Sequence, residues 1–334
     1  MLTLPRISID VWCGILPYLE MKDVCELTRV NKHLAALKLP VLHLGYRTVN
    51  WRAVSRTPEV FPFIRSLRYS GNDFKVLAEC AGLVKLRAET RTGFVDVGEL
   101  AGTKLKSLTL CGNVSGIGGL AHLTEIDLGG TMVVDVGALG ECLNLTTVDL
   151  RETDVKNISA LKTCLKLTRV DVCDTAVEDI GALSGCLELR EAYFSNTRVS
   201  NIRALENCLE LTDVYFRGTK VSDISPLGNC SKLTRVDLGE TIVEDLSALG
   251  RCRELTVLFF NSTNVCDISP LGKCLELYIV GLCGTRVQDI SALRTCSKMF
   301  RVNLLETSVE DTSVLKKCLG MTEVSRGRFM KISY

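Results

Sequence analysis

From Thr131 onward, apolar and polar residues follow a repeating pattern with a period of 22. One unit, residues 145–166, reads LTTVDLRETDVKNISALKTCLK, and its general form is LxxVxLxxTxVxxIxxLxxCLx. Nine cysteines keep this spacing: Cys142, Cys164, Cys186, Cys208, Cys230, Cys252, Cys274, Cys296 and Cys318. Nine threonines do the same: Thr131, Thr153, Thr175, Thr197, Thr219, Thr241, Thr263, Thr285 and Thr307. Because the cycles keep one register, the chain contains an internal repeat. The number of domains therefore cannot be estimated from the length of the chain alone.

Each unit predicts two kinds of local structure. Its first part alternates apolar and polar residues, which is typical of a short strand whose Leu and Val side chains point into the core. One turn cannot bury its apolar residues alone, so we expect successive turns to stack and share a core. So short a period leaves little room in each turn for a full outer helix. We predict 3₁₀ or single-turn helical segments there.

This unit resembles the leucine-rich repeat, and less regular units precede the regular ones. Their opening residues are Ile64, Leu67, Tyr69 and Asn72, then Leu83, Leu86 and Ala88, then Leu105, Leu108, Leu110 and Asn113. These units have 19, 22 and 18 residues. Together with the regular units they make about twelve turns from residue 64 to residue 320, and a partial turn follows. The resemblance implies an α/β solenoid with a parallel β-sheet on its concave side and short 3₁₀ or helical segments on its convex side. We predict three parts: a helical segment over 1–40, a junction over 41–63 and the solenoid over 64–334.

An Asp or Asn precedes each Ile-Ser-Ala-Leu-like segment. The series is Asp135, Asn157, Asp179, Asn201, Asp223, Asp245, Asp267, Asp289 and Asp311. At a helix N-cap, each side chain would accept a backbone N–H bond worth about 1 kcal/mol. Calcium binding, the alternative, needs several oxygens that converge on one point, whereas these lie in a line.

The cysteine series allows two interpretations. Neighbouring thiols should lie one turn apart, within the Cα range of a disulfide, but with parallel side chains, which is poor bonding geometry. The chain has only three His that could act as metal co-ligands. We therefore expect buried, free thiols rather than a metal or redox site. We see no signal peptide, and so we expect a reducing compartment, the cytoplasm or the nucleus.

The N-terminal segment has a different pattern. Asp23 with Glu26 three residues later fits a helix N-cap and its capping-box partner. Residues 4–37 resemble an F-box, which reads roughly LPxExxxxIxxYL and then xxKDLxxLxxVCKxW. Matching positions are Asp10, Ile15, Tyr18, Leu19, Lys22, Asp23, Val24, Leu27, Val30 and Lys32. The departures are Ser8 for Pro, Asn31 for Cys and Leu34 for Trp. A plain helical cap on the solenoid end is the alternative.

The resemblance implies that this segment docks on a Skp-type adaptor of an SCF-type cullin–RING ubiquitin ligase, with substrate on the concave face. The expected adaptor contacts are Leu16, Leu19, Val24, Leu27 and Val30. The competing hypothesis is a non-ligase scaffold or regulatory subunit, since the repeats also resemble those of phosphatase-1 regulatory subunits.

The strand residues between the core positions should face the concave surface. Tyr193, Tyr215 and Phe259 fall in one row there, with arginines beside them, which is the composition of interface hot spots. We predict that a protein partner contacts Arg169, Tyr193, Tyr215, Arg217, Arg235, Phe259 and Arg301. The alternative is that neighbouring side chains shield these residues. Tyr278 and Phe300, at strand starts, are expected to be rim or packing residues.

Composition adds few further candidates. Lys and Arg total 40 against 39 for Asp and Glu, so nothing global favours nucleic acid or an acidic membrane surface. The sequence has no P-loop, no HExxH and no paired CxxC, and the Gly-rich segment 116–121 lies on a repeat's turn rather than between a strand and a full helix. We predict a binding protein rather than an enzyme, with no cofactor, metal or small-molecule ligand.

Overall fold

The computed structural model describes residues 66–70, 74–78, 82–90, 95–115, 117–317 and 323–325. They belong to two compact units, divided in the chain between Leu145 and Thr146. The F-box-like segment, the junction over 41–63 and Cys318 lie outside the described residues. No helix of the described ranges is long and apolar enough to cross a membrane.

The first unit contains the less regular turns. Its strands are β1 (Ser66–Ser70), β2 (Lys85–Glu89), β3 (Val95–Asp96), β4 (Ser107–Cys111), β5 (Val114–Ser115) and β6 (Glu125–Asp127). Its helical segments are α1 (Lys75–Ala78) and the 3₁₀ segments Val97–Leu100 and Gly137–Glu141. β1, β2, β4 and β6 pair in parallel in this order, and β3 pairs with β5. The register pairs Ser66 with Lys85, Lys85 with Ser107 and Ser107 with Glu125, which confirms the lengths predicted for the three irregular units.

The second unit contains the regular turns. Its strands are β7 (Thr147–Asp149), β8 (Arg169–Asp171), β9 (Glu191–Tyr193), β10 (Asp213–Tyr215), β11 (Arg235–Asp237), β12 (Val257–Phe259), β13 (Ile279–Gly281), β14 (Arg301–Asn303) and β15 (Glu323–Ser325). Each strand pairs in parallel with the next, and the register follows the period of the sequence. Between the strands lie the 3₁₀ segments Ser159–Thr163, Gly181–Gly185, Arg203–Leu205, Ser225–Asn229, Ser247–Arg251, Ser269–Lys273, Ser291–Thr295 and Ser313–Lys317. The predicted parallel sheet and 3₁₀ segments are confirmed.

Each turn of the second unit buries the same columns of side chains. In the turn of β10 the fully buried residues are Leu211, Val214, Phe216, Val221, Ile224, Leu227 and Cys230. Phe216 stacks on Phe194 of the preceding turn, with ring centroids 5.5 Å apart and an interplanar angle of 10°. Since every column continues into the next turn, the core is shared along the unit.

The Asp/Asn series caps the 3₁₀ segments, but from one residue earlier than predicted. The N-cap residue of Gly181–Gly185 is Ile180, and its side chain makes no cap hydrogen bond. Oδ1 of Asp179 instead accepts the backbone N–H of Gly181 at 2.7 Å. The same bond recurs from Asp135 to Asp311. The motif is an Asx-turn rather than a true N-cap, because the donor is the first residue of the helical segment.

The cysteine and threonine columns both bond to backbone carbonyls. The cysteines of this column, from Cys142 at every 22nd residue to Cys296, are buried as thiols rather than as disulfides, which confirms the buried-thiol interpretation. Sγ of Cys252 lies 3.7 Å from the carbonyl oxygen of Cys230, one turn earlier. Burial raises the pKa of the Cys208 thiol to about 12 and that of Cys230 to about 11. The Thr219 hydroxyl donates to the carbonyl of Phe216 within its own turn, at 2.6 Å.

Candidate protein-binding surface

Two tyrosines form the centre of the candidate surface, on the face of the sheet opposite the core. The register of β9 and β10 places Tyr193 beside Tyr215, and their ring centroids lie 4.9 Å apart at an interplanar angle of 57°. Both side chains are partly exposed, whereas the residues that follow them, Phe194 and Phe216, are fully buried. The alternation of a strand therefore produces an aromatic pair on each face of the sheet.

Arg169, on β8, covers the first of these tyrosines. Its guanidinium carbon lies 4.5 Å from the centroid of the Tyr193 ring, which is cation–π geometry. The same guanidinium forms an ion pair with Glu191 and lies 3.6 Å from Asp171. The Tyr193 hydroxyl donates to Glu191 at 2.9 Å. Burial and this bond to Glu191 raise the pKa of Tyr193, so its phenol stays protonated at neutral pH.

Asp213 lies on the same face as Tyr215, two residues earlier on β10. Its side chain is only 13% exposed, and Oδ2 accepts from the hydroxyl of Thr212 at 2.7 Å. Oδ1 is buried and has no hydrogen-bond partner among the described residues. Nη1 of Arg235 lies 3.5 Å from that oxygen, an ion-pair contact without hydrogen-bond alignment.

Beyond Arg235 and Asp237 the surface becomes apolar. Val257, Phe259 and Ile279 are partly exposed on β12 and β13. Phe259 pairs in register with Gly281, and a Cβ at Gly281 would lie 2.6 Å from the Phe259 ring. The glycine thus leaves room for the ring to lean over the next strand. We call Arg169, Glu191, Tyr193, Asp213, Tyr215, Arg235, Val257, Phe259 and Ile279 the sheet-face patch.

Two of the residues predicted to bind a partner lie outside the sheet-face patch. Arg217 follows β10, where the chain leaves the sheet, and its Nη2 lies 2.5 Å from Glu240 of the next turn. Arg301 is exposed on β14 next to Ile279, at the edge of the patch. The other five predicted residues, Arg169, Tyr193, Tyr215, Arg235 and Phe259, belong to the patch. The predicted adaptor contacts, Leu16, Leu19, Val24, Leu27 and Val30, lie outside the described residues.

The acids of the patch were not among the residues predicted to contact a partner. Glu191 and Asp213 each precede a patch tyrosine by two residues, and the period of a strand puts such pairs on one face, so the signal was present. Tyr278 and Phe300, expected to be rim or packing residues, stack with centroids 4.9 Å apart and an interplanar angle of 3°.

The patch aromatics replace a residue type that has a structural function in other turns. At the last position of the strand, Asp149, Asp171, Asp237 and Asn303 each accept the backbone N–H two residues later, at distances of 2.8 to 3.2 Å. Tyr193, Tyr215 and Phe259 occupy the same position, and an aromatic ring cannot accept this bond. Within the described ranges, no group of three or more His, Cys, Asp or Glu could hold a metal ion.

Solved structures show what this architecture resembles. An internalin (inlF) from Listeria monocytogenes str. 4b F2365 is similar with a TM-score of 0.65 at 19% identity, over 82% of this chain and 84% of the internalin. The plant peptide hormone receptor RGFR1, in complex with RGF2, gives a TM-score of 0.62 at 16% identity, over 81% of this chain and 57% of the receptor.

A third similar structure is the functional domain of InlJ from Listeria monocytogenes, described as including a cysteine ladder. Its TM-score is 0.59 at 13% identity, over 81% of this chain and 55% of the InlJ chain. No family model and no curated protein matches the chain. The repeat pattern, the parallel sheet with 3₁₀ segments and these likenesses agree: the chain has the leucine-rich-repeat fold.

Proposed function

We propose that this chain binds another protein and that the sheet-face patch is the contact surface. The observation that carries the proposal is the replacement of an Asx-forming residue by Tyr193, Tyr215 and Phe259. Among the turns of β7 to β14, four lack the local hydrogen bond that Asp149, Asp171, Asp237 and Asn303 make. Three of these four present an aromatic ring at that position, and the fourth has Gly281 beside Phe259. Departures from a local structural rule are expected at functional positions, and Tyr and Arg are typical of binding hot spots.

The chemistry of the patch favours binding over catalysis. Burial raises the pKa values of Tyr193 and Tyr215, which is opposite to what a phenolic nucleophile or base needs at neutral pH. Glu191 is paired with Arg169 and with the Tyr193 hydroxyl. A likeness in fold to a plant peptide hormone receptor in complex with RGF2 supports a binding function as well.

Tyr215→Ala tests this proposal. Partners cross-linked to the full chain in cells would be purified and identified, and their affinity for the wild-type chain and the variant measured by biolayer interferometry. We expect a loss of about 1–3 kcal/mol in binding free energy, as for a hot spot, with an unchanged far-UV circular dichroism spectrum. Tyr278→Ala is the matched control, because it removes an exposed aromatic residue outside the patch. Equal affinities of wild-type chain and Tyr215→Ala would move the binding surface elsewhere.

A second and finer proposal concerns residues 4–37. Their F-box-like sequence, with Lys22, Asp23 and Val24 at the most characteristic step, supports docking on a Skp-type adaptor. The chain would then be the substrate-recognition subunit of an SCF-type ubiquitin ligase in the cytoplasm or nucleus. Co-purification of the full chain with adaptor and cullin tests this, with Leu27→Asp as the variant expected to abolish recovery. If neither subunit is recovered, a non-ligase scaffold or regulatory subunit with a helical cap is the remaining interpretation.

A further inference from the structure

Neighbouring strands of the sheet-face patch repeat one arrangement, an acid and a tyrosine two residues apart, but among the described residues a cation lies over the tyrosine ring in only one copy. On β9, Glu191 and Tyr193 are both in contact with Arg169 of the preceding strand. On β10, the corresponding pair is Asp213 and Tyr215, and the residue in the place of the arginine is Glu191. No cation of the described residues lies over the Tyr215 ring. The contacts of Arg169 with Glu191 and Tyr193 therefore indicate how a ligand cation could bind to Asp213 and Tyr215.

The Asp213 carboxylate has capacity for such a cation. Its Oδ1 atom is shielded from water and has no hydrogen-bond partner among the described residues. Arg235 lies 3.5 Å away but is itself 60% exposed, so it compensates this oxygen weakly, and a ligand cation would reach the oxygen by displacing Arg235. A buried acceptor without a hydrogen bond is unfavourable, and a charged donor is the strongest partner that it can gain.

Acids also outnumber bases around Tyr215. Burial raises the pKa of the Tyr215 phenol most, Asp213, Asp237 and Glu191 raise it further, and Arg235 lowers it. Glu191 is already paired with Arg169, so the negative charge available to a ligand is that of Asp213 and Asp237. This charge complements a lysine or arginine and opposes the phosphates of a nucleic acid or of an acidic membrane.

The apolar part of the patch indicates a second feature of the ligand, an apolar side chain. Phe259 lies two strands from Tyr215 in the same row, with Asp237 between them. Parallel strands are about 4.8 Å apart, so the two sites are separated by roughly 10 Å. An extended segment that crosses the strands in a polyproline II conformation advances about 3.1 Å per residue. Side chains about three positions apart would then reach both sites.

We propose that the partner presents a protein segment with a lysine or arginine over Tyr215 against Asp213, and an apolar side chain about three positions away against Phe259. This inference rests on the proposed function and narrows it to a class of ligand. It assigns Asp213 as the residue that selects the cation and Phe259 as the residue that selects the apolar side chain.

A random peptide library tests both requirements. Displayed 12-residue peptides would be selected on the immobilised full chain, and bound clones retained only if Tyr215→Ala abolishes their binding. We expect the retained peptides to share Lys or Arg about three positions from a large apolar residue. One such peptide would then be synthesised, with a fluorophore, for anisotropy titrations.

Matched variants identify the residue that binds the cation of the peptide. Asp213→Asn keeps the acceptor for Thr212 and removes the charge, so we expect roughly tenfold or greater weakening, the effect of losing one charge-assisted hydrogen bond. Replacing the peptide's cation by norleucine should weaken binding to the wild-type chain equally and binding to Asp213→Asn very little. Asp149→Asn, which removes a comparably buried carboxylate of the same sheet face outside the patch, should leave the affinity unchanged.

The outcomes separate this inference from the proposed function. Retained peptides without a shared cation, or a peptide whose affinity is the same for wild-type chain and Asp213→Asn, would overturn the inference and leave the binding surface intact. A library from which no clone depends on Tyr215 would overturn the surface itself, and the inference with it.

Discussion

Phe216→Ala is predicted to destabilise the turns around β10 far more than Tyr215→Ala, although the two residues are adjacent in the chain. Phe216 is fully buried and stacks on Phe194 at 5.5 Å, whereas Tyr215 is partly exposed on the opposite face. The comparison therefore separates a core residue from a surface residue with the backbone position nearly constant.

The magnitudes follow from burial. Removal of a buried phenyl ring leaves a cavity and costs about 3–5 kcal/mol. The Tyr215 ring contributes mainly its pair with Tyr193, at a centroid distance of 4.9 Å, and such a pair is worth about 0.5–1.5 kcal/mol. Phe216→Leu is the milder control, because Leu238 and Leu282 occupy the same column, and we expect it to cost less than about 1.5 kcal/mol.

Hydrogen exchange measured by mass spectrometry suits a repeat architecture, because destabilisation stays near the altered turn. A loss of about 1.4 kcal/mol in opening free energy makes exchange tenfold faster. Amides of residues 191–237 should therefore exchange roughly two to almost four orders of magnitude faster in Phe216→Ala, and about tenfold faster or less in Tyr215→Ala. Wild-type protection in Phe216→Ala would refute the assignment of Phe216 to the shared core.

Two further predictions concern the core. Leu211→Asp places an unpaired charge at a fully buried position and should unfold several turns, visible as a lost or strongly lowered thermal transition; a native melting curve would contradict the repeat register. The free energy of unfolding should fall in alkali because of five buried thiols, those of Cys186, Cys208, Cys230, Cys252 and Cys274. Their folded pKa values are raised from 9.0 to about 11 or 12, so the unfolded chain loses these protons first. The stabilisation by these thiols is complete below pH 9 and decreases from pH 9 to about 11–12, by about 1 kcal/mol per pH unit for each thiol. Urea unfolding measured at pH 8 to 11 should show this decrease, and Cys230→Ala should make the unfolding free energy fall less steeply with pH. An unfolding free energy that does not change over this pH range would exclude the mechanism.

The fold was predictable in detail because one physical requirement repeats. Every turn must bury the same columns, so the spacing of Val148, Val170 and their equivalents predicted both the strands and their register. The irregular turns were predictable for the same reason, since the leucines of the first unit mark each strand. The capping residues were placed one position too late, because an Asx-turn and an N-cap have the same sequence signature and differ only in which backbone N–H the side chain accepts.

For the candidate site, the sequence predicted which residues share a face of the sheet but not which side chains contact each other. Strand periodicity placed Tyr193, Tyr215 and Phe259 on one face, but side-chain contacts depend on rotamers that a sequence does not specify. The ion pair of Arg217 with Glu240 of the next turn was not predicted, because Arg217 lies where the chain leaves the sheet and strand periodicity no longer applies. The interaction of Arg169 with the Tyr193 ring and the lack of a hydrogen bond at Oδ1 of Asp213 could not be predicted from the sequence.

The repeat allows each patch residue to be compared with the residue at the same position of a neighbouring turn. In a unit whose turns share one structural rule, a position where the rule is broken can be compared with the same position in its neighbours. Asp171 and Asp237 flank the two tyrosines in the register and keep the backbone bond that Tyr193 and Tyr215 lack. Because the neighbouring turns form the same strands with that bond in place, the fold does not require tyrosine at these positions. The proposed partner, by contacting the rings, would account for tyrosine at these positions.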